Sequence, residues 1–172
     1  MMSATSSEPR IIEFGPYRVI GLGRVVKGGA DCPAVWDGEG GFIARMDEVQ
    51  PGADFLVGIC RCVPGATDGS FEYIAARPAK PGAPVPKDMV EVPIPAGAFA
   101  VFSVAGIANL GPAWGQAHAR LAALPGWQTY CNEDGCDCAN HPAFELYPPD
   151  FTMEGEMFLY FPVRRNERAA EP

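Results

Sequence analysis

Histidine is scarce, two in 172 residues, and basic side chains are outnumbered, 13 Lys and Arg against 21 Asp and Glu. A formal charge of −8 leaves no basic stripe to neutralise phosphates, which argues against direct nucleic-acid binding. It favours cations instead, as a weak and screened bias. No apolar run approaches the ~20 residues that a membrane-spanning helix needs. The N-terminus, MMSATSSEPR, carries no apolar signal region, so a cytoplasmic location is expected and no membrane partner. No Ser stands in a nucleophile-elbow motif, which removes the usual sign of a Ser/His/Asp hydrolase. Gly21 and Gly23 form GLG inside a strand-like segment rather than a phosphate loop opening a helix.

What is present is a chain 48% hydrophobic with ten Phe, long enough for one domain with a sizeable core. Residues 1–10 and 166–172 are expected to be disordered, leaving 11–165 as the folded domain. Segment 11–26 (IIEFGPYRVIGLGRVV) is β-branched and punctuated by Gly, which predicts one bent or bulged strand. In 30–50, Asp31 can cap a helix with Pro33 in its first turn, and Phe42, Ile43, Met46 and Val49 recur at helical spacing. Gly38, Gly40 and Gly41 interrupt it, each costing up to about 1 kcal/mol in a helix interior, so a broken helix or two short ones are expected. FLVGICRCV (55–63) and SFEYIAAR (70–77) predict two antiparallel strands. MVEVPIPAGAFAVFSV (89–104) predicts another strand, held to an edge or bulge by Pro93 and Pro95. Ile107, Leu110, Trp114, Ala117, Leu121 and Leu124 then mark a helix closed by Pro125-Gly126.

The last segment, 143–163 (AFELYPPDFTMEGEMFLYFPV), alternates with period two on either side of a Pro-rich acidic loop and predicts a hairpin. Matching apolar face to apolar face sets Glu145 and Tyr147 beside Phe158 and Tyr160. A lone carboxylate among rings is poorly solvated, so it either neutralises or pairs with a cation. No Lys or Arg lies in the hairpin before Arg164, so the cation can come from a ligand. The alternative is that Glu145 points to water from the wet face of an antiparallel sheet. The element order is strand, helix, two strands, given twice. The fold class expected is therefore α+β, duplicated βαββ modules with pseudo-two-fold symmetry around a central cleft.

These segments resemble the GyrI-like small-molecule-binding domains, also the effector-binding domains of AraC- and MerR-type multidrug-sensing regulators. GPYRVIGLGRVV resembles the family's first strand and PAVW the start of its first helix. SFEYIAAR resembles a strand ending in an aromatic and small residues. VPIPAGAFAVFSVAG resembles the strand that begins the second half, AWGQAHARLAALPGW the second helix, and AFELY with FLYFPVRR the closing hairpin. The resemblance implies an antiparallel sheet with two main helices and an aromatic cleft. In drug-sensing members the hairpin Glu pairs with lipophilic cations, which places Glu145 in that role with Tyr160 on the last strand. Tyr147, Tyr73, Trp36 and Trp114 follow as candidates for the wall. The helix-turn-helix of the regulators has no counterpart, and Ala98-Phe99 stands where the family usually has Thr-Tyr.

CNEDGCDCANH offers Cys131, Cys136, Cys138 and His141 at C-x4-C-x-C-x2-H. Thiolates and imidazole are the set zinc prefers and four can close a tetrahedron; free thiols in a flexible loop are the other reading. Six Cys without a signal peptide point to thiols or metal ligands rather than a disulfide framework. Cys60 and Cys62 share a strand face, as small apolar filler or as further ligands, and His118 reads as a half-buried helix residue. Three functions follow. The first is capture of a lipophilic, often cationic, small molecule for sensing or sequestration, with no cofactor beyond a candidate zinc. The second is hydrolysis of strained-ring cytotoxic compounds by Glu145 with Tyr160 or Tyr147. The third is inhibition of a protein partner such as DNA gyrase.

Overall fold

The segment expected to be one bent strand is two. The computed structural model describes residues 8–132 and 135–166. Gly15, at φ +84°, turns the chain in the left-handed region that glycine tolerates, and β1 (Arg10–Phe14) separates from β2 (Tyr17–Val26). β1 pairs with β6 (Gly97–Ala105), whereas β2 pairs with β4 (Phe71–Pro78) and β5 (Val90–Ile94). Segment 89–104 divides in the same way, because Pro93 and Pro95 confine β5 to an edge. β6 continues into the centre, between β1 and β11 (Glu156–Arg165). Each half thus lends its first strand to the other.

The remaining elements follow the predicted order. The glycine-rich stretch forms two short helices, α1 (Pro33–Asp37) and α2 (Phe42–Arg45). Asp31 does not cap the first of them, whose N-cap position is Cys32 with no side-chain bond. β3 (Leu56–Cys62) precedes β4, and α3 (Leu110–Ala122) follows β6. β7 (Trp127–Thr129) adds to β11, β8 (Cys131–Asn132) and β9 (Gly135–Cys136) pair with each other, and β10 (Ala143–Tyr147) completes the sheet. At the ends, Arg10 already belongs to β1, and the Asn166 N–H donates to the Gly126 carbonyl at 2.9 Å. Residues 1–7 and 167–172, where disorder was expected, lie outside the described residues.

The fold is α+β. Strand order is β1-β6-β11-β10-β3-β4-β2-β5, which reads alike from both ends: an outer exchanged strand, the long second strand, then the hairpin. The expected βαββ module is present twice, preceded each time by the exchanged strand. The halves meet at the antiparallel β3–β10 seam, whose register centres on Glu145 opposite Gly58.

Both faces of the sheet are covered. On one, the curled sheet closes on itself. Phe14 of β1 packs on Phe99, Phe144 and Tyr160 with ring centroids 4.9–6.0 Å apart, joined by Val57, Ile59 and Ile74. On the other, α1 and α2 cover Ile20, Leu22 and Ala75, while α3 covers Phe102, Leu159 and Phe161. This decides the hairpin register. Phe144 pairs with Tyr160, Glu145 with Leu159, and Leu146 with Phe158, the opposite of the expected alignment. The expectation assumed one apolar and one polar face. With both faces buried, Met157, Leu159 and Phe161 go to the helices and Phe158 and Tyr160 to the self-closed core.

Phe144 is fully buried at the seam, so truncating it leaves a cavity that strands from both halves cannot close. Phe144→Ala is expected to lower the unfolding free energy by about 3–5 kcal/mol, read as a shift in urea midpoint with unchanged m-value.

Candidate functional site

Among the described residues Glu145 is the one charge-bearing side chain that is buried, at 4% exposure. Its place follows from period two: Phe144 and Leu146 face the self-closed core, so Glu145 and Tyr147 face the helices. Gly58, directly across the seam, makes the space. A Cβ there would lie 2.3 Å from the Tyr73 hydroxyl and 2.6 Å from Glu145 Oε2, nearer than any side chain allows.

The carboxylate is held by hydrogen-bond donors. Tyr73 Oη donates to Oε2 at 2.8 Å, Tyr147 Oη to the same oxygen at 2.5 Å, and Trp114 Nε1 to Oε1 at 3.4 Å. Trp36 Nε1 in turn donates to Tyr73 Oη at 2.8 Å, orienting that hydroxyl towards the acid. One indole comes from the helical part of each half. Among the described residues Glu145 forms no ion pair. Burial pushes its pKa above the ordinary carboxylate range, while the bonds from Tyr147, Tyr73 and Trp114 pull it back.

Glu145 lines a cleft of about 1110 Å³ between the two helical layers. Trp36, Tyr73, Trp114, Tyr147 and Phe151 form its aromatic wall, with Ile43 and Met153, both largely exposed, near it. Three carboxylates line it, Asp37, Asp54 and Glu145, against one guanidinium, Arg77. Arg77 is turned to the Met46 carbonyl (3.3 Å) and Asp47 (4.0 Å). Desolvation raises Cys32 to about 11 and Cys60 well above its usual value, and lowers His118. Cys60 therefore lines the cleft as a thiol, in keeping with a small filler residue.

Of the ligand-wall candidates, the structure brings together Glu145, Tyr147, Tyr73, Trp36 and Trp114. Tyr160 is not with them. It lies in the self-closed core against Phe144, with ring centroids 5.1 Å apart, because the register turns it away from Glu145. It therefore cannot polarise a substrate beside that acid. Gly58 was missed by the sequence reading, since a glycine in a strand acquires meaning only once its cross-strand partner is known.

In the cysteine segment, Cys131 and Cys136 are joined by a disulfide across the β8–β9 hairpin, where free thiols or ligands were expected. His141 stands apart from the sulfurs, stacked on Tyr130 at 3.7 Å with Nδ1 3.2 Å from Asp137. Cys62, Cys136 and Cys138 converge instead, their sulfurs within 4.8 Å of one another, and this cluster could hold a metal ion.

The family model for GyrI-like small molecule binding domains matches residues 7–164. The chain belongs to the GyrI-like family. Several solved structures share its fold. SAV2435 bound to tetraphenylphosphonium is 15% identical with TM-score 0.63, aligned over 91% of this chain and 94% of that one. An integron cassette protein from the mobile metagenome of Vibrio cholerae is 14% identical with TM-score 0.56, over 92% and 97%. The C-terminal domain of EcmrR is 12% identical with TM-score 0.63, over 92% and 98%. At such identities the likeness establishes the fold. Among curated proteins none matches the sequence.

The raised Glu145 pKa has a consequence for stability. The stability due to its neutral form is fully present below the unfolded value and is lost as pH rises through the folded one. Glu145→Gln, which cannot ionise, is therefore expected to be more stable than the parent chain at pH 8. The difference should shrink steadily towards pH 4, as read by urea midpoints across that range.

Proposed function

We propose that this GyrI-like domain binds lipophilic organic cations in its cleft, with Glu145 as their charge partner, and serves in the cytoplasm as a sensor or sequestering protein. The observation that carries the reading is a buried carboxylate with hydrogen-bond donors but, among the described residues, no ion-pair partner, opening on a large apolar cleft. Desolvating an acid is costly unless a countercharge arrives. Among the described residues no Lys, Arg or His pairs with it, so a guest is the natural source. Ring faces add about 0.5–2 kcal/mol each to a desolvated cation, and Trp36, Tyr73, Trp114 and Tyr147 are the rings at hand. The cleft's excess of carboxylates biases it in the same direction. The fold neighbour SAV2435 was solved with tetraphenylphosphonium, a cation of the class proposed. Among the described residues no helix is long and apolar enough to cross a membrane.

Tetraphenylphosphonium is the probe. It is expected to quench the fluorescence of Trp36 and Trp114 with saturation, and Glu145→Gln is expected to weaken its Kd more than tenfold. Affinity should also fall as pH drops through the raised Glu145 pKa, because the ionised form is the one that attracts the cation. Equal affinity in the Gln variant would remove the charge argument.

A further inference from the structure

The structure places Cys62 beside two cysteines of the loop, Cys136 and Cys138. We propose that Cys62, Cys131, Cys136 and Cys138, once reduced, form a tetrathiolate zinc site that staples the two halves of the sheet together. Cys62 ends β3, in the first half, and the other three come from the loop between α3 and β10, in the second. Cys62 Sγ lies 3.7 Å from Cys136 Sγ. Cys62, Cys136 and Cys138 sulfurs are all within 4.8 Å of one another. Cys131, bonded to Cys136, is not within that distance of all three and supplies the fourth ligand only after the bond opens. A tetrahedral ion with metal–sulfur bonds of about 2.3 Å needs sulfurs about 3.8 Å apart, which is the spacing found for the Cys62–Cys136 pair.

Two further features fit a thiolate site. The Cys62 backbone N–H points to Cys138 Sγ at 3.1 Å, the kind of outer bond that fixes a ligating sulfur. Three converging sulfurs, with a fourth cysteine on the same hairpin, favour a soft-ligand ion, zinc, in a closed structural site rather than a catalytic one. His141, the imidazole expected from the sequence spacing, is occupied with Tyr130 and Asp137. Cys62 replaces it, from a strand 69 residues before Cys131 (131 minus 62).

Loading requires the Cys131–Cys136 bond to open. A dithiol reductant gives two electrons and two protons to that bond, becoming a disulfide itself and leaving two cysteine thiols. Zn²⁺ then displaces four protons from the four thiols and takes their sulfurs as ligands. The site is separate from the Glu145 cleft, although Cys60, two positions before Cys62 on β3, lines that cleft.

The full chain, expressed with added zinc and purified under dithiothreitol, is to be assayed for metal by mass spectrometry. About one zinc per chain is expected in the parent and in His141→Ala, and on the order of a tenth of that in Cys62→Ser. Chelator-stripped, reduced parent protein titrated with Co²⁺ should develop the absorption of a four-sulfur tetrahedral site, saturating at one ion per chain and bleached by zinc. This second measurement does not depend on any variant folding. Zinc undiminished in Cys62→Ser, zinc lost in His141→Ala, or no cobalt–sulfur absorption in the parent would each overturn the proposal.

Discussion

The structure turns on one uncompensated charge. Glu145 is withdrawn from water, and three donors stabilise its ionised form without neutralising it. Hydrogen bonds to a carboxylate are among the stronger ones in proteins, yet desolvation still outweighs them and raises the pKa. A protein selected for stability alone would place Leu or Gln here. The acid is retained at a standing cost, which the positive guest proposed above would offset.

The duplicated fold explains why the acid can be there at all. Two like halves meet along β3–β10, and the middle of that seam is where neither helical layer reaches across. The cleft is the gap between the layers. Each half sends one indole into it, Trp36 through Tyr73 and Trp114 directly, and Gly58 removes the side chain that would fill the centre. Strand exchange through β1 and β5 ties each half to the other on both sides of the seam. The sulfur cluster would fasten the same two halves at a second point, where β3 ends.

Much of this was legible before any coordinates. Period-two patterning found β10, β11, β3 and β4, three- and four-residue spacing found α3, and the glycines foretold the fragmentation of the first helical segment. The lack of a nearby cation singled out Glu145, and the family resemblance supplied four of its neighbours. What escaped was long-range. The split of 11–26 depends on β1 finding β6, which no local pattern announces. The hairpin register depended on which face would be buried, and both were, so Tyr160 was assigned to the wrong side. Gly58 and Cys62 matter through partners 87 and 74 positions away, Glu145 (145 minus 58) and Cys136 (136 minus 62). Local spacing therefore favoured His141, nearer in sequence and farther from the sulfurs.

The central claim concerns the charge state of a single carboxyl group, and carbon-13 NMR titration of the Glu145 side chain observes it directly. In the empty protein the carboxyl should titrate above the ordinary glutamate range, and saturation with tetraphenylphosphonium should move it downward, since a bound cation favours the ionised form. A Glu145 that titrates at the ordinary value and does not move when the cation is added would contradict the account.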